Sequence, residues 1–238
     1  MRRIAELSRN PAIITLFMAL ADAVGYAHQR LLIHRDIKPA NVLVNAQGVP
    51  KLLDFGVAKL LDDASTATLT RESLGYTARY ASPEQILGGP LTTASDVHAL
   101  GVVLYEMLTG THPFATAGAS IEQVRQAVCE RVPRNLSVCA AVLPAPPVAA
   151  RSLRGDLDTV VAKALAKDPA QRYASAVAFR DDIQRHLAGL PIEARPPTTA
   201  YQLSRFARRH KLGASLGALA LAAIITAAAV AAWQAQVA

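Results

Sequence analysis

The sequence predicts a mainly α-helical fold with one small β-hairpin, followed by a single transmembrane helix. Three observations carry this prediction. Apolar residues recur at helical spacing over five segments. Two short apolar runs flank the turn-forming stretch Asn45-Ala46-Gln47-Gly48. No charged residue lies between Leu212 and Ala238.

The first helix is expected over residues 11–33, with Leu16, Leu20, Ala23, Val24 and Ala27 on its apolar stripe. Pro11 suits a first helical turn after the cap candidate Asn10. Val42-Leu43-Val44 and Lys51-Leu52-Leu53 read as the two strands of the hairpin. Further helices are expected over 95–109, 120–131, 156–166 and 175–188. Asp156 and Ser175 are N-cap candidates, and Gly110 and Gly189 are candidate ends. The stretch 133–155 is rich in Pro and Ala without a period and reads as a loop.

Residues 191–211 read as a basic juxtamembrane linker, punctuated by Pro191, Pro196 and Pro197. Residues 212–233 are long enough to span a bilayer. Leu216, Leu219, Leu221, Ile224, Ile225 and Val230 each favour insertion by about 0.3–0.6 kcal/mol. Trp233 falls at the expected interfacial end, and residues 234–238 form an extracytoplasmic stub. The cluster Arg205, Arg208, Arg209 and Lys211 precedes the span, which puts residues 1–211 in the cytoplasm, at the inner (plasma) membrane. Gly213 and Gly217 form a G-x-x-x-G pair, so a homodimer through the span is a further expectation.

Composition bounds the class. A chain of 238 residues with 52% hydrophobic content can bury one substantial core. Part of the net charge of +7 sits in the juxtamembrane cluster, and no nucleic-acid motif accompanies it. Cys129 and Cys139 lack C-x-x-C spacing, so reduced thiols are expected. Arg2, Arg3, Glu6 and Arg9 interrupt the N-terminus, which is unlike a secretory signal.

The chemistry-bearing residues surround the hairpin. The run His34-Arg35-Asp36-Ile37-Lys38-Pro39-Ala40-Asn41 precedes the first strand, and Asp54-Phe55-Gly56 follows the second. An antiparallel hairpin brings its outer ends to within about 4.5–5.5 Å between facing Cα atoms. Asn41 and Asp54 are therefore expected side by side, as an oxygen-ligand pair suited to magnesium.

The two runs resemble the catalytic and metal-binding loops of protein kinases, with Lys38-Pro39 similar to the serine/threonine branch. The resemblance continues through Tyr80-Ala81-Ser82-Pro83-Glu84-Gln85, Ser95-Asp96-Val97-His98-Ala99-Leu100-Gly101, and Lys167-Asp168-Pro169 with Arg172-Tyr173. It covers residues 1–190 and implies the large lobe of a bacterial membrane-anchored kinase, with ATP and Mg2+ as cofactors and protein as substrate. By the resemblance, Asp36 would accept the substrate hydroxyl proton and Lys38 would neutralise the transferred phosphoryl group. Asn41 and Asp54 would hold magnesium. Arg35 would receive an activation-loop phosphate from Thr68 or Thr70, and Thr77 would contact the catalytic loop. His34 is expected to be structural, Asp96 to fix the catalytic-loop backbone, and Glu84 to pair with Arg172.

Residues preceding Asp36 include no Lys and only one Gly, Gly25, and nothing later offers a G-x-G-x-x-G run. The resemblance therefore implies a kinase domain without its phosphate-covering small lobe. The alternative is a catalytically silent, membrane-anchored pseudokinase or docking adaptor.

Overall fold

The computed structural model describes residues 2–3, 13–54, 78–114, 118–196, 198–199, 201, 203, 205, 224, 226–227 and 233–235. Thr68, Thr70, Thr77 and nearly all of the expected span 212–233 lie outside them. Among the described residues, no helix is long and apolar enough to cross a membrane. The chain divides into two units, residues 1–184 and 185–238.

The first unit is helical around one small sheet. Strand β1 is Arg2–Arg3, helix α1 is Ile13–His28, strand β2 is Val42–Val44 and strand β3 is Pro50–Leu52. Then follow α2 (Pro83–Ile86), α3 (Thr93–Thr109), α4 (Ile121–Glu130), α5 (Leu136–Ala141), α6 (Ala150–Leu153), α7 (Asp156–Ala164) and α8 (Ala176–Leu187).

The expected hairpin has a third strand. β2 and β3 pair antiparallel with Val42 opposite Leu52, and β1 adds on the other side, with Arg2 opposite Val44. Two residues carry no alternating pattern, so β1 left no trace in the sequence. The hairpin turn is tied by Asn45, whose Oδ1 accepts from Gln47 N at 3.1 Å and Val49 N at 2.8 Å.

Helix α3 is the axis of the core, with Val97, Leu100, Val103, Leu104 and Leu108 buried. It packs against α1, α5 and α7. Its start is a capping box: Thr92 Oγ1 accepts from Ala94 N at 3.3 Å, and Thr92 N donates to Ser95 Oγ at 3.3 Å. Gly110, at φ 76°, ends it. Close approach explains Gly101, where a Cβ would stand 3.1 Å from both Ala164 Cβ and Leu165 Cδ2. Helix α1 meets α8 edge to face through Phe17 and Phe179, 5.3 Å between centroids.

Two expectations are corrected. Residues 133–155 are not all loop: they hold α5 and α6, which bury Leu136, Ala140 and Leu153. Asp158 makes the first of these possible, accepting from Ser137 N at 2.9 Å and Ser137 Oγ at 2.7 Å. Asp156 is not the cap of α7. It is the first helical residue and is buried, while Gly155 caps at φ 103° and donates its N–H to Asp158 Oδ2 at 3.2 Å. Ser175 does cap α8, its Oγ accepting from Ala178 N at 3.1 Å.

Candidate functional site

The loop between α1 and β2 is held from below by one carboxylate. Asp96, in the first turn of α3, is 1% exposed. Its Oδ2 accepts from His34 N at 2.8 Å and from His28 Nε2 at 2.8 Å, and its Oδ1 accepts from Arg35 N at 2.9 Å. Three donors on one buried acceptor group fix the loop's course. Arg35 accordingly adopts φ 68°, a region that non-glycine residues visit rarely. Its carbonyl accepts from Gln85 Nε2 at 2.7 Å, so α2 holds the next peptide of the same loop.

His34 ties the loop to the hairpin. Its Nδ1 accepts from Asp36 N at 3.3 Å and its Nε2 donates to Leu53 O at 3.0 Å. A single neutral tautomer satisfies both bonds. Burial pushes the imidazole below its usual value, against the pull of the nearby Asp96, Asp36 and Asp54 charges.

Three of the predicted site residues converge. Lys38 Nζ stands 2.8 Å from Asp36 Oδ2, both side chains being mostly buried. Asn41 Nδ2 donates to that oxygen at 2.9 Å and to Asp36 O at 2.9 Å. Asn41 ends a 3-10 turn that begins at Pro39, and its backbone carbonyl accepts from Leu53 N at 2.8 Å. The ladder therefore sets Asn41 against Leu53, one residue short of Asp54, and the expectation of a directly facing pair is off by that step. Asp54 follows at φ 52° and is exposed. The donor set suits magnesium: the Asn41 nitrogen is committed to Asp36, which leaves its amide oxygen to ligate, and Asp54 adds a carboxylate. Among the described residues no group of three or more His, Cys, Asp or Glu side chains is placed to hold a metal ion.

A second carboxylate, the half-buried Glu84, belongs to α2 itself. Arg172 grips Glu84 bidentately, Nη1 to Oε1 at 2.8 Å and Nη2 to Oε2 at 2.9 Å. It spends its other donors on Ala166 O, Ala94 O and Lys167 O, at 2.6, 2.9 and 2.8 Å. All five N–H groups of the guanidinium are thus engaged. Ser95 Oγ donates to Glu84 Oε1 at 2.7 Å. Burial alone would raise the Glu84 carboxyl, but the Arg172 and Ser95 donors outweigh it and pull it from 4.5 to about 2.

Sequence reasoning placed Asp96 under the loop but missed His28 and Gln85. A signal existed for His28, which continues the buried series Leu20 and Val24 at a spacing of four on α1. A polar residue on an apolar stripe asks for a partner. Nothing local marks Gln85, whose partner Arg35 lies fifty positions away. His98 is fully buried and stacks on Phe114 at 6.1 Å, and neither ring nitrogen has a hydrogen-bond partner among the described residues.

Comparison with known proteins follows from this geometry. The family model described as protein kinase domain matches residues 4–183. The chain is 40% identical over 173 residues to the serine/threonine-protein kinase PknB of Mycobacterium tuberculosis, covering 72% of this chain and 26% of that protein. It is 38% identical over 180 residues to the probable serine/threonine-protein kinase PknB of Bifidobacterium longum, covering 75% and 24%. The chain thus spans about a quarter of the length of the curated relatives it matches. A crystal structure of a mutant Mycobacterium tuberculosis PknI kinase domain superposes with a TM-score of 0.51 at 26% identity, covering 78% of this chain and 61% of that one.

Proposed function

The chain belongs to the protein kinase family, and from that premise we propose that it carries the catalytic-loop half of a serine/threonine protein kinase, which transfers a phosphoryl group from MgATP to protein Ser or Thr. One observation carries the reading: a carboxylate, Asp36, held by Lys38 Nζ at 2.8 Å and Asn41 Nδ2 at 2.9 Å on a loop pinned from beneath. Phosphoryl transfer depends mainly on positioning and charge stabilisation. Asp36 orients the substrate hydroxyl and accepts its proton. Lys38, already beside that carboxylate, offsets charge on the transferred group. Asn41 Oδ1 and the Asp54 carboxylate would hold magnesium, which would neutralise charge on the ATP phosphates.

The regulatory and membrane readings are part of the same proposal. Arg35, directly before Asp36, would receive a phosphate on Thr68 or Thr70. By the family resemblance, Thr77 would contact the catalytic loop. Residues 212–233 cross the inner membrane once, and Gly213 and Gly217 favour pairing of two such spans. Residues 1–238 hold no G-x-G-x-x-G loop or paired strand Lys, so they turn over only when those parts are supplied.

The test compares wild type and Asp36→Asn for magnesium-dependent phosphorylation of a generic Ser/Thr protein substrate. With the phosphate-covering lobe supplied, the variant is expected to lose about 10²–10⁴-fold in rate. Equal rates, or no rate in either, would favour the silent adaptor. Clear Asp36-dependent turnover by residues 1–238 alone would remove the requirement for the extra lobe.

A further inference from the structure

We propose that the segment around Tyr201 is a docking face for an anionic phospholipid leaflet. The inference rests on the span proposed for residues 212–233, which would hold this segment at the membrane surface. Glu193 is the last acidic residue of the chain, and Arg185 pairs with it at 2.9 Å. Beyond it the sequence carries Arg195, Arg205, Arg208, Arg209 and Lys211 with no negative charge before Ala238.

The described residues show how part of that charge is organised. The Arg195 and Arg205 guanidinium carbons lie 5.4 and 5.5 Å from the Tyr201 ring centroid. Two cations thus share one aromatic ring, within the reach of cation–π attraction. The ring is tethered: its hydroxyl oxygen accepts from Ile192 N at 3.2 Å. Leu203, between the ring and Arg205, is 68% exposed. Paired cations, an amphipathic ring and an exposed leucine on one short stretch match the chemistry of an acidic headgroup layer over acyl chains. The leucine has no use for a soluble anion. A nucleic acid could use the cations and stack on the ring, but the sequence carries no nucleic-acid motif and the exposed leucine beside a proposed span favours lipid.

The full chain is reconstituted with vesicles of phosphatidylcholine alone, or with about one third phosphatidylserine. Carbonate extraction reads the span, and amide hydrogen exchange over residues 192–205 reads the docking face. Expected are carbonate resistance in both vesicles and exchange slowed several-fold on the anionic ones, with the slowing lost at high salt. Arg195→Gln with Arg205→Gln should abolish the lipid dependence, and the double Lys variant should keep it. Carbonate resistance with identical exchange on both lipids overturns the docking face and leaves the span standing. If carbonate strips the chain from both, the span fails. Salt-sensitive binding to anionic vesicles only, lost in the Gln variant, would then still support the face, and no binding would overturn it. Equal slowing by inorganic phosphate without vesicles would overturn the lipid assignment.

Discussion

Asp96 and Glu84 are both carboxylates set into the protein beside the start of α3, and they are satisfied by opposite means. Asp96 takes donors that carry no fixed charge: two backbone N–H groups and an imidazole. Glu84 takes a guanidinium whose five N–H groups are all engaged. The first arrangement aims a loop, because backbone donors transmit position to the peptides that own them. The second staples distant segments, because one arginine gathers Glu84, Ala94, Ala166 and Lys167. Loss of the first should blunt function more than folding, and loss of the second should do the reverse.

The largest effect is expected at the staple. Arg172→Ala leaves the half-buried Glu84 without its cation and its fork of donors, and should lower unfolding free energy by about 3 kcal/mol in denaturant titration. Arg172→Lys should recover only part of this, since an ammonium cannot form the fork. A loss below about 1 kcal/mol would mean that the pair is solvated and the contrast with Asp96 is wrong.

Acid sharpens the comparison next. Glu84 has a folded pKa of about 2 against an ordinary 4.5, so its stabilisation is complete above 4.5 and is lost as pH falls toward 2. Integrated, this is about 3 kcal/mol. The imidazoles act earlier. Burial lowers His34 and His98, and lowers His112 to about 3, so their neutral forms stabilise the fold above 6.5 and oppose it below. Stability should therefore decline from pH 6.5 downward and fall faster below 4.5. His98→Phe removes a buried imidazole with no hydrogen bond and should flatten the first part of that decline. A pH-independent melting temperature between 7 and 4 would exclude these assignments.

Asp96→Asn comes third. One side of the amide would present N–H groups where two donors now converge, at a cost of about 2–3 kcal/mol. The telling readout is hydrogen exchange at His34 and Arg35, which should accelerate while exchange in the centre of α3 changes little. Uniform acceleration across α3 would make Asp96 another staple. The smallest effect is expected for Gln85→Ala, which frees Arg35 O from its 2.7 Å bond and removes one arm of the α2 capping box, for about 1 kcal/mol. It should leave the Arg172 contacts in place.

Much of the fold was legible because helices repeat. The stripe from Leu16 to Ala27 announced α1, and Gly110 marked the end of α3, whose left-handed closure favours glycine. The fold's short pieces were not legible. β1 is two residues long, and α5 rests on Asp158, which lies twenty-one positions from Ser137. Boundaries moved wherever a cap chose them: Gly155, through its backbone N–H to Asp158, displaced Asp156 as the start of α7.

The inventory was legible along the chain: Asp36, Lys38, Asn41 and Asp54 at set separations around a hairpin, and Arg172 far from the Glu84 it pairs with. Helical periods and turn residues along the chain place these runs around a hairpin, and their roles come from the family resemblance. Only the tertiary structure decided the aim of those groups. Asn41 turns to Asp36 with Asp54 one step further on, because the ladder sets Asn41 O on Leu53 N. The loop holds φ 68° at Arg35 because a carboxylate sixty-one residues later accepts its N–H. Buried donors and acceptors must find partners, and the partners that satisfy them are chosen by packing, which sequence neighbours do not reveal.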